Sequence, residues 1–327
     1  MALAHELALV LSFHGVVERI EHPDIQVNHL ELSAFERIVD VVRQTYEVVT
    51  LDDVAAAVSG GSRLPPNAAA LTFDDGYRSV LEFADPILTR HGLPYALFVP
   101  SELIEVGARV PTYVMRTALD FTDARSVRLS GKSRPFKLGS PDERERAAAH
   151  AAEALRSLPL AETRRVLAEL HTLLSPELWV ELDRRFASEE LMGWPELQTL
   201  AGRGVVIGSH TRDHAVLHER QSPEEIRAQV TDSKAAIEQR LGVPCRHFCY
   251  PHGSPRDLCR TAVEAVRAAG YSSAFMNIGG PVRQGMDPVL LPRSYVAKPS
   301  PEAALVPRAL LSHSKWFAEV QSELDLG

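Results

Sequence analysis

Short apolar runs alternate with segments of helical periodicity along most of the chain. The runs lie at 6–13, 46–49, 68–73, 95–99, 204–208, 245–250, 271–275 and 289–296. Helical patterns separate many of them, including those at 194–202 and 255–269. This alternation is typical of repeated βα units around a parallel sheet or barrel. The pattern therefore predicts an α/β fold in which the apolar runs form a central, buried sheet.

Three helix starts carry capping signals. They are Ser33 with Glu36, Thr50 with Asp53, and Ser222 with Glu225. In each pair the side chain of the first residue can accept a hydrogen bond from the backbone N–H of the second, and the side chain of the second can accept one from the backbone N–H of the first. The last start also has Pro223 at the first helical position, which favours helix initiation. We expect the first of these helices to end near Arg43 and the last near Leu241.

The alternation is interrupted between about 101 and 190. Segments 143–155 and 160–174 are rich in Ala, Arg and Glu, which predicts surface helices. The sequence thus divides into a barrel at 1–100 and 191–300, a helical insertion or lid at 101–190, and a C-terminal helix at 301–327. The insertion is expected either to roof the barrel, which would favour short substrates, or to form the interface of a homo-oligomer.

Composition narrows the class of protein. The chain has 327 residues and a mass of 36.0 kDa, with 45% hydrophobic and 24% charged residues, which is the profile of an ordinary globular protein. A chain of this length buries enough surface to fold without disulfides. The net charge of -8 and the pI of about 5.9 give no basic surface for nucleic acid or anionic lipid. We expect a small or neutral partner.

The cysteines and the N-terminus indicate a compartment. Cys245, Cys249 and Cys259 are odd in number and confined to one stretch, which favours reduced thiols over a disulfide framework. The first residues lack a basic leader, and the apolar run at 7–13 is too short for a signal-peptide core. No apolar stretch approaches the roughly 20 residues that a transmembrane helix requires. These features predict a cytoplasmic protein with an intracellular substrate and no transmembrane segment.

Two groups of polar residues follow predicted strands directly. Asp74 and Asp75 end the run at 68–73, although an Asp-Gly turn with two solvated acids would look the same. His210 and His214 follow the run at 204–208, and on a helical turn their side chains would point the same way and bind one metal ion. The alternative is that both are surface histidines. His214 and His218 have the same spacing, which shows that this spacing also arises by chance.

Two further predicted strands also end in groups that could take part in chemistry. The run at 245–250 leads into a Pro/Gly turn at 251–253 that could aim backbone N–H groups inward, or be a plain βα loop. His14 ends the first run, where a lone histidine is more often structural. Carboxyl ends of parallel strands share one crevice. Together these ends offer a carboxylate and two imidazoles for Zn²⁺, a second carboxylate as base, and a spare imidazole.

Three motifs resemble those of a known enzyme family. TFDDGY at 72–77, HTRDH at 210–214 and YPHG at 250–253 are similar to the leading motifs of the polysaccharide deacetylases, the NodB-homology or carbohydrate esterase 4 family. The resemblance covers about 7–100 and 192–296. It implies a distorted (β/α) barrel with fewer than eight full units, here with a helical insertion. It also implies hydrolysis of an acetyl group, usually N-acetyl, from a sugar.

The resemblance assigns roles to individual residues. Asp75, His210 and His214 would hold a divalent metal ion, with Zn²⁺ expected and Co²⁺ or Ni²⁺ as alternatives. Asp74 would be the general base. The backbone N–H of Tyr250 would help to stabilise the oxyanion. The substrate would be contacted by Tyr250, Pro251 and His252.

One family role needs a different residue here. The family commonly has a late Leu-x-His motif, and His313 matches its letters, but the stretch around it is more typical of a helix than of a strand end. A branch that resembles the exopolysaccharide deacetylases has its acid histidine on the first strand. His14, in FHGV at 13–16, fits that branch and is the expected general acid. Arg293 is an expected partner of Asp74, with a surface arginine as the alternative.

The sequence therefore predicts a metal-dependent hydrolase that removes an acetyl group from a carbohydrate or a carbohydrate-containing intermediate. One alternative is an amidase or esterase of the same mechanism that acts on another metabolite, such as a lipid-linked sugar. Another is a non-catalytic carbohydrate-binding relative. The presence of Asp74 argues against the latter, because a binding module has no need of a base beside the metal.

Overall fold

The computed structural model of the chain describes residues 6–129 and 134–296. Its strands are β1 (Glu6–Phe13), β2 (Val16–Val17), β3 (Leu30–Glu31), β4 (Glu47–Val48), β5 (Ala68–Phe73), β6 (Tyr95–Val99), β7 (Ser126–Val127), β8 (Phe136–Lys137), β9 (Val206–Ser209), β10 (His247–Cys249), β11 (Ser273–Met276), β12 (Val282–Arg283), β13 (Leu291–Pro292) and β14 (Ser294–Tyr295). Its α-helices are α1 (Leu32–Thr45), α2 (Leu51–Val58), α3 (Asp85–Arg90), α4 (Ser101–Val106), α5 (Pro111–Phe121), α6 (Pro141–Ser157), α7 (Leu160–His171), α8 (Pro176–Arg185), α9 (Trp194–Gly202), α10 (Pro223–Leu241) and α11 (Arg260–Ala268). A π-helical segment, Val80–Ala84, precedes α3.

The main sheet closes almost completely on itself. Strands β1, β5, β6, β9, β10 and β11 are consecutive parallel neighbours. Strand β13 then pairs with β11 while β14 pairs with β1, and Arg293 is the one residue between them. The chain therefore joins the two edges of the sheet where it passes through Arg293. The predicted distorted (β/α) barrel is confirmed.

Alternate residues of the barrel strands face two apolar clusters. Val10, Ala70, Phe98 and Phe275 come from strands all around the barrel and belong to one cluster, which fills its interior. The intervening residues of the same strands pack outward against the surrounding helices. This period-two division is what a strand with both faces buried produces. It explains why the runs are apolar throughout.

The capping predictions have mixed outcomes. Thr50 caps α2 and Ser222 caps α10, each with a complete capping box. The predicted cap at Ser33 is wrong, because α1 starts at Leu32 and Ser33 lies within its first turn. The reason is local: residues 30–31 pair with β2, so the chain stays extended up to Glu31 and enters the helix immediately.

Segment 101–190 contains helices α4 to α8 and a small antiparallel pair, β7 with β8. Its helices were expected to lie on the surface, but they also contribute buried residues to the core. Buried residues such as Tyr113, Ala147 and Leu170 belong to the same apolar cluster as Phe73 and Tyr77 of the barrel. The Ala-rich face of α6, which the composition made look weakly amphipathic, is the face that packs inward.

Two findings bear on the remaining predictions about the chain. Among the described residues, no helix is both long and apolar enough to cross a membrane. The predicted C-terminal helix at 301–327, with His313, lies outside the described residues.

Candidate active site

The predicted site residues meet at one mouth of the barrel. His14 follows β1, Asp74 and Asp75 follow β5, His210 follows β9, and Arg293 lies between β13 and β14. Because these strands are parallel, their carboxyl ends open on the same side. The fold therefore brings together residues that are far apart in the sequence.

Asp75, His210 and His214 form a cluster of potential metal ligands. The Nε2 atoms of His214 and His210 lie 3.1 Å and 3.7 Å from Oδ1 of Asp75. One ligand atom from each residue lies within 4.8 Å of the others. Nδ1 of His210 is 2.8 Å from the carbonyl oxygen of Cys249, which leaves its Nε2 facing Asp75. Such a contact commonly fixes the ring of a metal-ligating histidine.

The backbone reaches this arrangement in an unexpected way. The helical turn predicted for His210 and His214 is wrong, because the two lie on an irregular loop with Thr211 at φ 64° and His214 at φ 54°. Asp75 and His252 also have left-handed φ angles, 69° and 60°. In the described parts of the chain, these four make up all but one of the non-glycine residues with positive φ. Strained backbone of this kind concentrates at functional sites.

Two glycines allow the close packing behind the cluster. Gly76 has a φ of +76°, and a Cβ atom there would lie 2.8 Å from Cγ1 of Val99. At Gly208 a Cβ atom would lie 2.6 Å from the Phe98 ring. A larger residue at either position would displace the loop that carries Asp75 or the one that carries His210.

Burial and neighbouring charge set the protonation of the cluster. Burial lowers the pKa of His210 to about 4, so the imidazole is neutral at physiological pH, as metal coordination requires. Burial also opposes the charge of His214, but the Asp75 carboxylate outweighs it and raises the pKa of His214. Burial would raise the pKa of Asp75, but the charge of His214 holds it well below its usual value.

An observation on Asp75 tests whether a cation fits this cluster. Oδ1 of Asp75 is buried and has no hydrogen-bond partner of acceptable geometry in the described chain, although His214 Nε2 is 3.1 Å away. A buried carboxylate oxygen without a partner is costly. One carboxylate and two imidazoles are also a donor set that zinc prefers. The residues present therefore fit a divalent metal ion.

Asp74 is paired with Arg293, as the sequence predicted. Nη1 and Nη2 of Arg293 donate to Oδ1 and Oδ2 of Asp74, each at 2.7 Å. Arg293 is 1% exposed, so the alternative of a surface arginine is wrong. It also donates to the Thr72 hydroxyl at 3.0 Å and contacts Sγ of Cys249 at 2.8 Å. Burial would raise the pKa of Asp74, but Arg293 outweighs it and lowers the pKa.

His14 lies beside the two carboxylates. Its ring meets the Tyr295 ring edge-on, with the centroids 5.4 Å apart. Its charge would contribute to the lowered pKa of both Asp74 and Asp75. Its buried Nδ1 has no hydrogen-bond partner among residues 6–129 and 134–296.

The turn at 250–253 differs from expectation in one respect. The N–H of Tyr250 donates to the carbonyl of Phe275 at 3.1 Å, because the sheet continues through this residue, and its hydroxyl donates to the carbonyl of Val289. An N–H engaged in the sheet cannot also stabilise an oxyanion, so the role expected for Tyr250 is not supported by this conformation. Pro251 is buried, whereas His252 is exposed and its ring lies 5.8 Å from that of His214.

His218, the rival of His210, is not part of the cluster. Its Nε2 atom is 3.1 Å from the carbonyl oxygen of Leu158, at the end of the insertion helix α6. It serves as a contact between the insertion and the barrel loops.

Sequence reasoning missed Cys249 and Tyr77 as parts of the site. Cys249 lies against both Arg293 and Asp74, and burial raises the pKa of its thiol well above its usual value, so that it stays neutral. Tyr77 is buried, and burial together with the Asp75 charge raises the pKa of its hydroxyl. Cys249 is the last residue of β10, and Tyr77 is the last residue of the TFDDGY motif; these positions are the signals that would have found them.

Comparisons with known proteins agree with the motifs. A model of the polysaccharide deacetylase family matches residues 163–274, a segment that includes His210, His214 and Tyr250. A search of curated proteins found no match. The similarity to the polysaccharide deacetylases predicted from the motifs is confirmed.

Solved structures share the fold at low sequence identity. Deacetylase PplD of Streptococcus pyogenes, in complex with acetate, is 15% identical, with a TM-score of 0.61 over 94% of this chain and 99% of that one. IcaB from Ammonifex degensii is 19% identical, with a TM-score of 0.59 over 93% and 98%. The BpsB deacetylase domain from Bordetella bronchiseptica is 17% identical, with a TM-score of 0.52 over 88% and 94%.

Proposed function

We propose that this chain, which matches the polysaccharide deacetylase family over residues 163–274, is a metal-dependent hydrolase that removes an N-linked acetyl group from a carbohydrate. The observation that supports this most is that two carboxylates with different partners lie side by side in one site. Asp75 lies with His210 and His214, and Asp74 beside it is held by a buried arginine. In this proposal 1–100 and 191–300 carry the chemistry, and 101–190 shapes access to it.

Asp75, His210 and His214 would hold the metal ion. Zn²⁺ suits this donor set, with Co²⁺ and Ni²⁺ as alternatives. Bound there, a divalent ion polarises the acyl carbonyl and lowers the pKa of water toward neutrality. The lowered pKa of His210 keeps its imidazole ready to bind such an ion without first losing a proton.

Asp74 would act as the general base. Its lowered pKa keeps it ionised at neutral pH, and the two hydrogen bonds from Arg293 fix the plane of the carboxylate. Each carboxylate oxygen retains a lone pair that can accept a proton. As water attacks the acyl carbon, Asp74 takes one of its protons, and the new C–O bond forms.

His14 would act as the general acid. When the C–N bond breaks, its electron pair stays on nitrogen, and a protonated His14 delivers a proton there. The products are acetate and a free amine. His14 suits this step because it lies beside the carboxylates and its Nδ1 atom has no competing partner among the residues described.

A non-catalytic carbohydrate-binding role is the weaker alternative. A binding module gains nothing from a buried ion pair at Asp74, because burying two charges costs several kcal/mol before their attraction offsets it. A general base beside a metal site would explain why this buried ion pair is present. The same machinery would act on other acyl compounds, so the acyl and sugar preferences have to be measured.

Release of acetate from N-acetylated sugars by zinc-loaded protein tests the proposal. Wild type should release acetate from N-acetylglucosamine oligomers, and Asp74→Asn should lose roughly 100-fold or more in kcat, because a general base contributes about that much. Metal content should be the same in both. Equal rates in the two proteins, with metal bound, would remove Asp74 from the mechanism.

A further inference from the structure

A cavity of about 340 Å³ adjoins the candidate active site. On one side it is bounded by the insertion helices α5, α6 and α7, and on the other by residues 213–216. His214 and His252 both line it, so the cavity opens directly beside the proposed metal ligands. Its volume falls in the range of small-molecule pockets, roughly 300–1,000 Å³. The methyl group of an acetyl substituent would fill only a small part of it.

The walls of this cavity are mostly apolar. Leu103, Val114, Leu155, Leu160, Leu167 and Val216 line it. The hydroxyl groups of a sugar chain would lose their water here and find few partners, which is unfavourable. An alkyl group gains about 0.8 kcal/mol for each methylene that leaves water. The lining therefore selects against a uniformly polar polysaccharide and in favour of an alkyl group.

Residues with polar side chains also line the cavity, among them Asp213 and Gln221. Asp213 is paired with Arg164 of α7 at 3.0 Å. Gln221 is 6% exposed, its Nε2 donates to the carbonyl of Val216, and its buried Oε1 has no hydrogen-bond partner among the described residues. The Asp213 carboxylate and the Gln221 amide nitrogen therefore already have partners within the chain.

The pocket is formed before any ligand binds, because the insertion is anchored to the barrel. The guanidinium of Arg156 on α6 donates to both oxygens of the buried Asp257, at 2.6 Å and 2.7 Å. Arg220 donates to the carbonyl of Ser157 at 3.0 Å. A pre-formed pocket loses less conformational entropy on binding.

We propose that this pocket binds an alkyl group carried by the sugar, so that the substrate is an N-acetyl sugar with an apolar aglycone. The inference rests on the proposed function: the acyl group is acetyl, and therefore the apolar space must meet another part of the same molecule. Segment 101–190, which supplies most of the walls, is then the part of the chain that selects the substrate.

Glycosides that differ only in their aglycone test this directly. Acetate release is measured on the methyl, hexyl and octyl β-glycosides of N-acetylglucosamine, below their aggregation concentrations. Octyl glycoside should exceed methyl glycoside in kcat/KM by at least about tenfold, about 1.4 kcal/mol. Ala168→Phe, which places a ring at the pocket wall on α7, should bring this ratio toward one. Ala161→Phe is the matched control and should retain the ratio, because Ala161 is exposed on α7 as Ala168 is but does not line the pocket.

Three results would overturn the proposal. They are equal kcat/KM for the three glycosides, an equal effect of Ala168→Phe and Ala161→Phe on the ratio, and a preference for the N-octanoyl over the N-acetyl form of the methyl glycoside. The last would assign the pocket to the acyl group instead.

Calorimetry separates failure of the pocket from failure of the proposed function. Octyl β-glucoside has no acetyl group, so its binding does not depend on catalysis. Wild type and Ala161→Phe should bind it, and Ala168→Phe should bind it at least about tenfold more weakly. Absence of binding to wild type overturns the pocket assignment. Binding without acetate release from any N-acetyl sugar supports the pocket and contradicts the deacetylase.

Discussion

The buried pair of Asp74 and Arg293 is the most consequential contact at the scale of single residues. Both side chains are almost fully buried, and each compensates the charge of the other. Removing one partner leaves a buried charge uncompensated, which typically costs about 3–5 kcal/mol. We expect Arg293→Met to lower the free energy of unfolding by roughly this amount at pH 7, as measured by urea titration.

The loss should depend on pH. In the wild type the pKa of Asp74 is lowered, so its contribution to stability is present above the unfolded value of about 3.9 and is lost as pH falls through the folded pKa. Without Arg293, burial raises that pKa, and stability is lost as pH rises above about 4. The stability difference between wild type and Arg293→Met should therefore grow from pH 4 to pH 7. A difference that shrinks over this range would contradict the ion pair, and Asp74→Asn combined with Arg293→Met should recover part of the loss.

The identity of the site residues was readable from the sequence, but their geometry was not. Strand-end positions were enough to select Asp74, Asp75 and His210. The left-handed angles of Thr211 and His214 were not readable, because only tertiary packing enforces them. The hydrogen bond from the Tyr250 N–H to the Phe275 carbonyl was not predicted either, because it depends on how far strand pairing extends.

At the scale of elements, two similar capping signals have different outcomes and make a matched test. Thr50→Ala should lower the free energy of unfolding by about 1 kcal/mol, because Thr50 accepts the N–H of Asp53 at the start of α2. Ser33→Ala should change it little or raise it slightly, because Ser33 is exposed inside α1, where alanine is favoured. Chemical denaturation of both variants checks this. Equal losses would mean that Ser33 is a cap after all.

Strands were easier to predict than the point where the barrel closes. The apolar runs at 6–13, 68–73 and 95–99 coincide with β1, β5 and β6. The run at 289–296 was expected to be one strand and is instead β13 and β14, with Arg293 between them. The chain changes partners there, since Arg293 donates its N–H to Met276 while Val296 donates to Ser12 on the opposite edge. A change of pairing from one strand to a distant one does not alter the local pattern of apolar residues, so the sequence does not predict it.

At the scale of the whole molecule, segment 101–190 and the barrel share one apolar cluster. The sequence predicted separate surface helices because Ala-rich faces contribute little to an amphipathic pattern. A shared core predicts one cooperative unfolding transition. Trp179 on α8 reports on the insertion and Trp194 on α9 reports on the barrel. In variants with a single tryptophan, both should give the same urea midpoint, and an earlier transition at Trp179 would show that the insertion unfolds by itself.

Metal content tests the central claim most directly, because it requires no knowledge of the substrate. Wild type, His210→Ala and His218→Ala would be equilibrated with Zn²⁺, dialysed and analysed for bound metal, with circular dichroism to show that each is folded. His218→Ala is the matched control, since His218 contacts the Leu158 carbonyl away from the cluster. We predict about one equivalent in wild type and His218→Ala, and less than about a tenth of that in His210→Ala, since loss of one of three ligands removes most of the affinity. No metal in folded wild type, or equal metal in His210→Ala, would contradict the account.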